Sequence, residues 1–301
     1  MNKNQTQGVL LGLAVGDALG RPIEFKTRSD IERKYGTLTG MVGNGTWGQS
    51  PGTITDDTEQ ALAIARSVVE SNDFDPSDIA DRFVEWYDTD PFDIGIMTRD
   101  SLQKLKEGTP WDKAGREVWQ QSREGKNAGN GSVMRTAPLA IAFADDESKL
   151  TEVSLKSSRI THADDRCEYG SAILNLTIAA ILREEDMPLQ QALNYVEAEA
   201  PEELLDALTP IAAGDTVEPL STSGYVVDTL QTALHDGLRE ESAESAIITA
   251  VNRGGDTDTI GAITGAVSGA RFGKEGLPDR WLDSIDETPE LQYLAAELMT
   301  I

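Results

Sequence analysis

Two short acidic motifs carry the most chemistry in this sequence. Thr55-Asp56-Asp57-Thr58-Glu59 and Gly254-Gly255-Asp256-Thr257-Asp258-Thr259 each set carboxylates beside hydroxyls. Donor sets made only of oxygen suit hard cations such as Mg²⁺, Mn²⁺ or Ca²⁺, and the absence of a His/Cys cluster disfavours zinc. The same residues also suit a plainer purpose. Asp57 with Gln60 reads as a capping box, and acids in a first turn complement the helix dipole. Acidic pairs are common in this chain; Asp145-Asp146 and Asp164-Asp165 are two others. Whether the two motifs meet in space separates the readings. If they do, four carboxylates crowd together, and a like-charged pair at about 4 Å repels by roughly 4 kcal/mol at an effective dielectric of 20. Such a cluster persists only with cations or with raised pKa values.

Two further segments have chemical potential. Gly129-Asn130-Gly131-Ser132 precedes Val133-Met134-Arg135, which reads as helical. A Gly-rich turn feeding a helix N-terminus presents backbone N–H groups and can hold a phosphate. It is equally the composition of an ordinary turn. Thr161-His162-Ala163-Asp164 contains one of only two histidines, and a lone histidine is more often structural than catalytic. The other, His235, lies in a polar helical stretch and takes no role. Glu59 is read as solvated or capping, not as a ligand.

These motifs need helices to position them. Apolar residues recur at helical spacing, as in Ala61, Leu62, Ile64, Ala65 and Val68, or Ile173, Leu174, Leu176, Ile178 and Ile181. The acidic motifs stand at the heads of helices expected over Gln60–Val69 and Ile260–Phe272. Loops are expected over Gly36–Thr53, Thr89–Gly95, Gly125–Ser132 and Gly214–Gly224. Strand-like alternation is scarce, and no strand, Gly-rich loop and helix follow one another, which argues against Rossmann and P-loop folds. Gly8, Gly12, Gly16 and Gly20 fall four apart on one helical face, and Gly261, Gly265, Gly269 and Gly273 do the same near the other end. An interior glycine costs a helix about 1 kcal/mol relative to alanine. Two stripes of four therefore predict backbones in close approach, which would bring the adjoining acidic motifs together.

Composition narrows the partners. Asp plus Glu number 52 against 26 Lys plus Arg, a formal net charge of -26 spread along the chain. A field of that sign repels nucleic-acid phosphates and anionic membranes, so general binding to either is not expected. Spread acidity with few lysines suggests adaptation to high salt, where screening removes the self-repulsion. One cysteine, Cys167, permits no intrachain disulfide and no multi-cysteine metal site. The opening MNKNQTQ lacks a signal-peptide pattern and no run resembles a membrane span, so a cytoplasmic location is expected.

Taken in order along the chain, these segments resemble the ADP-ribosylglycohydrolases. The resemblance rests on Gly12-Leu13-Ala14-Val15-Gly16-Asp17-Ala18-Leu19-Gly20 with Pro22-Ile23-Glu24-Phe25, then Thr55-Asp56-Asp57-Thr58, Asp93-Ile94-Gly95, Gly129 to Arg135, Thr161-His162, and Gly254 to Ile260. It implies an all-α fold, a single compact multi-helix domain over residues 1–301. It implies two divalent cations, Mg²⁺ or Mn²⁺, held by Thr55, Asp56, Asp57, Asp256, Asp258 and Thr259. Glu24 would be the acid beside the metals and Asp93 a loop acid near the scissile bond. Gly129, Asn130, Gly131, Ser132 and His162 would hold the ADP-ribose moiety.

The implied reaction cleaves the glycosidic bond between ADP-ribose and a modified acceptor, either a protein side chain or a small molecule. Such chemistry needs an oxocarbenium-like transition state, a delivered water and an acid near the leaving group, here Glu24 or Asp93. Two metals could orient the water and the ribose hydroxyls. Two other readings share the platform. One is hydrolysis of a phosphoester or of a free ADP-ribose derivative. The other is a non-catalytic member like the lens crystallins related to the family, which a degraded metal set would favour; here the set is complete. The acceptor and the oligomeric state stay open.

Overall fold

The computed structural model describes residues 1–123 and 125–301, and among these it contains sixteen α-helices and no β-sheet. The two glycine-striped helices form its centre. In the Lys3–Gly20 helix every residue from Gly8 to Gly20 is buried, and in the Thr257–Phe272 helix every residue from Thr257 to Ala270. A helix apolar on all sides has to be enclosed by others, and these two pack on each other. They run antiparallel in a fixed register: Gly8 faces Gly269, Gly12 faces Gly265, and Gly16 faces Gly261. A β-carbon at any of these positions would overlap the opposing carbonyl, so only glycine permits the approach. Gly20 lies against Thr257 in the same register, and the Thr257 hydroxyl donates to its carbonyl at 2.8 Å. Gly273 departs from the expected stripe. It is the C-cap of its helix at φ 70° and abuts Asn4.

This register brings the end of one central helix beside the start of the other. The 3₁₀ turn Arg21–Ile23 then delivers Glu24 next to Gly254-Gly255. There Phe25 N donates to Gly255 O at 2.8 Å, and Gly255 N to Lys26 O at 2.9 Å. Both glycines have φ near +80°, and a β-carbon on either would collide with the neighbouring backbone. A second backbone crossing, the bridge Gly129↔Tyr225, carries Asn130 to the same end of the molecule.

Several local expectations need correction. The helix after the first acidic motif spans Asp56–Ser71, and its N-cap is Thr55, whose side chain accepts from Asp57 N; Asp57 is not the cap. The later helix begins at Thr257, and its N-cap Asp256 makes no side-chain capping bond. Val133–Arg135 is not helical but a turn, with Val133 N and Met134 N both donating to Asn130 O; the helix starts at Ala137. No helix N-terminus therefore follows directly on Gly129–Ser132. Glu59 is half-buried and accepts from Trp86 Nε1 at 2.6 Å. His235, in the helix Val226–Arg239, is buried, and its Nδ1 bonds to Asp236 at 2.9 Å. No helix among the described residues is long and apolar enough to cross a membrane.

Candidate active site

The two acidic motifs meet. Thr259 Oγ1 lies 3.3 Å from Asp57 Oδ2, and Thr55 Oγ1 lies 3.2 Å from the same oxygen. Asp57 Oδ1 is buried with no hydrogen-bond partner. Both motifs open on a cavity of about 410 Å³, lined by Glu24, Asp56, Asp57, Asp93, Asp256 and Asp258 among others. One carboxylate oxygen each from Glu24, Asp93 and Asp258 lies within 4.8 Å of the others, close enough to share a cation. A cleft of about 500 Å³ on another part of the surface, lined by residues such as Gln5, Met187 and Phe272, has no such convergence.

Neighbouring helices hold the carboxylates in place. Asp17, fully buried in the first helix, accepts from Thr55 N, from Thr58 N and, at 2.5 Å, from the Thr58 hydroxyl. That ties the Asp56–Ser71 helix to the central pair at the point where its acids emerge. Asn130 Nδ2 donates to Asp256 Oδ2 at 2.7 Å and to Thr229 Oγ1 at 3.0 Å. Gln60 Nε2 donates to Asp56 Oδ2 at 3.3 Å, and the buried Arg135 donates to Gln60 Oε1. Arg135 also donates to Thr161 Oγ1 at 2.6 Å, and that hydroxyl is 2.8 Å from His162 Nδ1. Glu24 is bound by Trp47, whose Nε1 donates to Oε2 at 2.5 Å.

The electrostatics follow from this crowding. Burial pushes Glu24 up to about 7 and Asp93 up to about 8, and neighbouring carboxylates add to both shifts. Asp56, Asp57 and Asp258 stand well above the usual carboxylate range, first through burial and then through neighbouring carboxylates, led by Asp93 for Asp56, Asp17 for Asp57 and Glu24 for Asp258. Burial also raises Asp256, against the Asn130 hydrogen bond. Asp17 rises to about 6 by burial, opposed by its bonds from Thr58 and Thr55. The cluster thus retains protons near neutral pH, and a bound cation would displace them. His162 is drawn down to about 3, mainly by burial and then by Arg135, so its ring is neutral.

The other sequence candidates fall into two groups. Gly129, Asn130, Gly131 and His162 line the same cavity, with the His162 ring packed against both glycines. The Ser132 side chain is buried behind them, its hydroxyl 3.4 Å from that of Ser171, and Thr55 likewise sits behind Asp57. Asp17, Trp47, Arg135 and Lys126, which lines the cavity, received no role from the sequence. A lone aspartate in the otherwise apolar run of residues 8–20 was the available signal for Asp17. Trp47 and Lys126 lie in loops and carried none.

The ADP-ribosylglycohydrolase family profile matches residues 2–301. The chain belongs to this family. It is 34% identical to the ADP-ribosyl-[dinitrogen reductase] glycohydrolase of Rhodospirillum rubrum over 93% of this chain and 89% of that one. It is 33% identical to the ADP-ribosylarginine hydrolase Tri1 of Pseudomonas putida over 98% and 78% of the two chains. A solved structure described as an ADP-ribosylglycohydrolase-related protein complex superposes with a TM-score of 0.82 at 32% identity, covering 99% of this chain and 98% of its own. As an ADP-ribosylglycohydrolase, the protein is a metal-dependent hydrolase that cleaves the glycosidic bond between ADP-ribose and a modified acceptor. In this ADP-ribosylglycohydrolase the acidic cavity is the one place where carboxylates converge in a form that could hold a metal, among the described residues.

Proposed function

We propose that the cavity holds two divalent cations, Mg²⁺ or Mn²⁺, on Thr55, Asp56, Asp57, Asp256, Asp258 and Thr259. The observation that carries this reading is the meeting of the two motifs at Asp57, whose Oδ2 has Thr55 and Thr259 beside it while Oδ1 is buried unpartnered. Donors made only of oxygen fit a hard cation, and a positive charge would offset the repulsion that raises their pKa values. When bound, such ions supply Lewis-acid charge toward a sugar hydroxyl and an attacking water.

The remaining steps belong to the chain's own groups. Glu24 and Asp93, which burial raises above the usual carboxylate range in the metal-free cluster, stand at the cavity mouth and are placed to pass a proton to the departing acceptor. Asn130, with the Gly129 and Gly131 backbone and the neutral His162 ring, binds the ADP-ribose side of the bond. The acceptor in this reading is a protein side chain ending in a guanidinium, as the name of the Pseudomonas putida relative, an ADP-ribosylarginine hydrolase, suggests. The cavity mouth supports it: exposed Phe25 and half-buried Trp47 beside Glu24 and Asp93 suit a flat, delocalised cation. The reading also takes residues 1–301 as one such domain in a cytoplasm of high salt, in keeping with the net charge of -26.

Metal removal tests the proposal. Chelation lowers turnover by more than about 100-fold, beyond the typical cost of losing an outer-shell partner, and added Mg²⁺ or Mn²⁺ restores it. Full activity after exhaustive chelation, with elemental analysis finding no metal, contradicts it.

A further inference from the structure

Trp47 stands in none of the acidic motifs, yet it touches both sides of the cavity mouth. It sits in a tight turn closed by Asn44 N donating to Gln49 O at 2.6 Å. Three further contacts fasten that turn to the segment ending at Glu24. Thr46 N donates to Pro22 O, the Thr46 hydroxyl donates to Glu24 O at 2.7 Å, and Gly45 packs on the Pro22 backbone at φ 72°. From this anchored position the indole N–H reaches Glu24 Oε2 at 2.5 Å. The ring meets Phe25 edge-on at 6.4 Å and Phe92 at 5.9 Å, so it contacts the residue after Glu24 and the residue before Asp93. Phe25 holds φ 62°, a conformation a bulky residue adopts only when its surroundings impose it.

We infer that Trp47 is a positioning residue, fixing the Glu24 carboxylate relative to Asp93 and Asp258. The inference rests on the reading of this cavity as the active site. A glutamate carboxylate, carried on three side-chain torsions, can occupy several rotamers. A short charge-assisted N–H bond from an anchored indole selects one, and neighbours that orient a functional group in this way commonly affect activity or metal affinity by about 10- to 100-fold. A purely structural indole would fill the loop and satisfy its own N–H, with no selective effect on turnover.

The test is Trp47→Phe, which keeps an aromatic ring and removes the N–H. With Mg²⁺ and an ADP-ribosylated substrate, kcat is expected to fall by about tenfold or more. KM and the thermal midpoint stay near those of the wild type. Titration calorimetry with Mn²⁺ alone gives a second readout that needs no substrate. W47F weakens Mn²⁺ binding when Glu24 is present and has no further effect in the E24A background, because the N–H then has no carboxylate to orient. A W47F protein with wild-type kcat, unchanged Mn²⁺ affinity, or the same Mn²⁺ loss in both backgrounds overturns the inference. A wild-type chain inactive on every ADP-ribosylated acceptor counts against the functional reading instead, while the Mn²⁺ cycle still decides the role of Trp47.

Discussion

The Asp258→Asn protein is expected to fold normally and to lose its turnover. Asparagine caps a helix about as well as aspartate, so a capping role predicts little change in either property. The structure already weakens that role, since the N-cap of this helix is Asp256 and its side chain makes no capping bond. Asp258 instead points into the cavity with Glu24 and Asp93, and its ionised form is opposed by burial and by those neighbours. Replacing an anionic ligand with a neutral amide should cost more than the roughly 10- to 100-fold seen for outer-shell partners. Removing one carboxylate from a crowded buried group also relieves repulsion, so the metal-free variant should melt no lower than the metal-free wild type. The measurement is paired: turnover at saturating metal, and thermal midpoint with and without metal. Near wild-type turnover would return Asp258 to an ordinary first-turn acid.

The second large effect concerns stability. Gly265→Ala places a β-carbon on the carbonyl of Gly12 at the middle of the central helix pair. Helix propensity alone favours the substitution by about 1 kcal/mol, because alanine is the better helix former. Overpacking of a rigid backbone contact acts in the opposite direction, by about 3 kcal/mol or more when neither helix can yield. The overlap should win, lowering the thermal midpoint by several degrees at ~2 °C per kcal/mol for a chain of this size. Gly40→Ala is the control, since a β-carbon there meets nothing within 4 Å. It should stay within about 0.5 kcal/mol of the wild type. Equal midpoints for the two variants would contradict the close-packed register.

The central helix pair was legible in the sequence because glycine at every fourth position has few other physical explanations. The register was not, since spacing shows which face is bare but not which glycine meets which. That register, with the backbone sutures at Phe25–Gly255 and Gly129–Tyr225, is what unites the acidic motifs. Local pattern misled at Val133–Arg135. There the buried Arg135 is drawn to Gln60 and Thr161, and the Asn130 carbonyl closes a turn, so tertiary contacts override helix propensity. The sequence also favoured a Gln60 partner for Asp57, whereas the Asp57 carboxylate turns toward Thr259 across the interface. Trp47 was illegible for another reason. Its partner Glu24 lies 23 positions away, and the turn that carries it has no periodic pattern.

The central claim is that this cavity cleaves the bond between ADP-ribose and its acceptor, and product identity tests it most directly. A peptide carrying ADP-ribose on arginine, incubated with the protein and Mg²⁺ or Mn²⁺, is read by mass spectrometry. Glycosidic cleavage yields free ADP-ribose and an unmodified arginine peptide. Release of AMP, with the ribose phosphate left on the peptide, would show hydrolysis of the diphosphate linkage at a two-metal site and contradict the assignment.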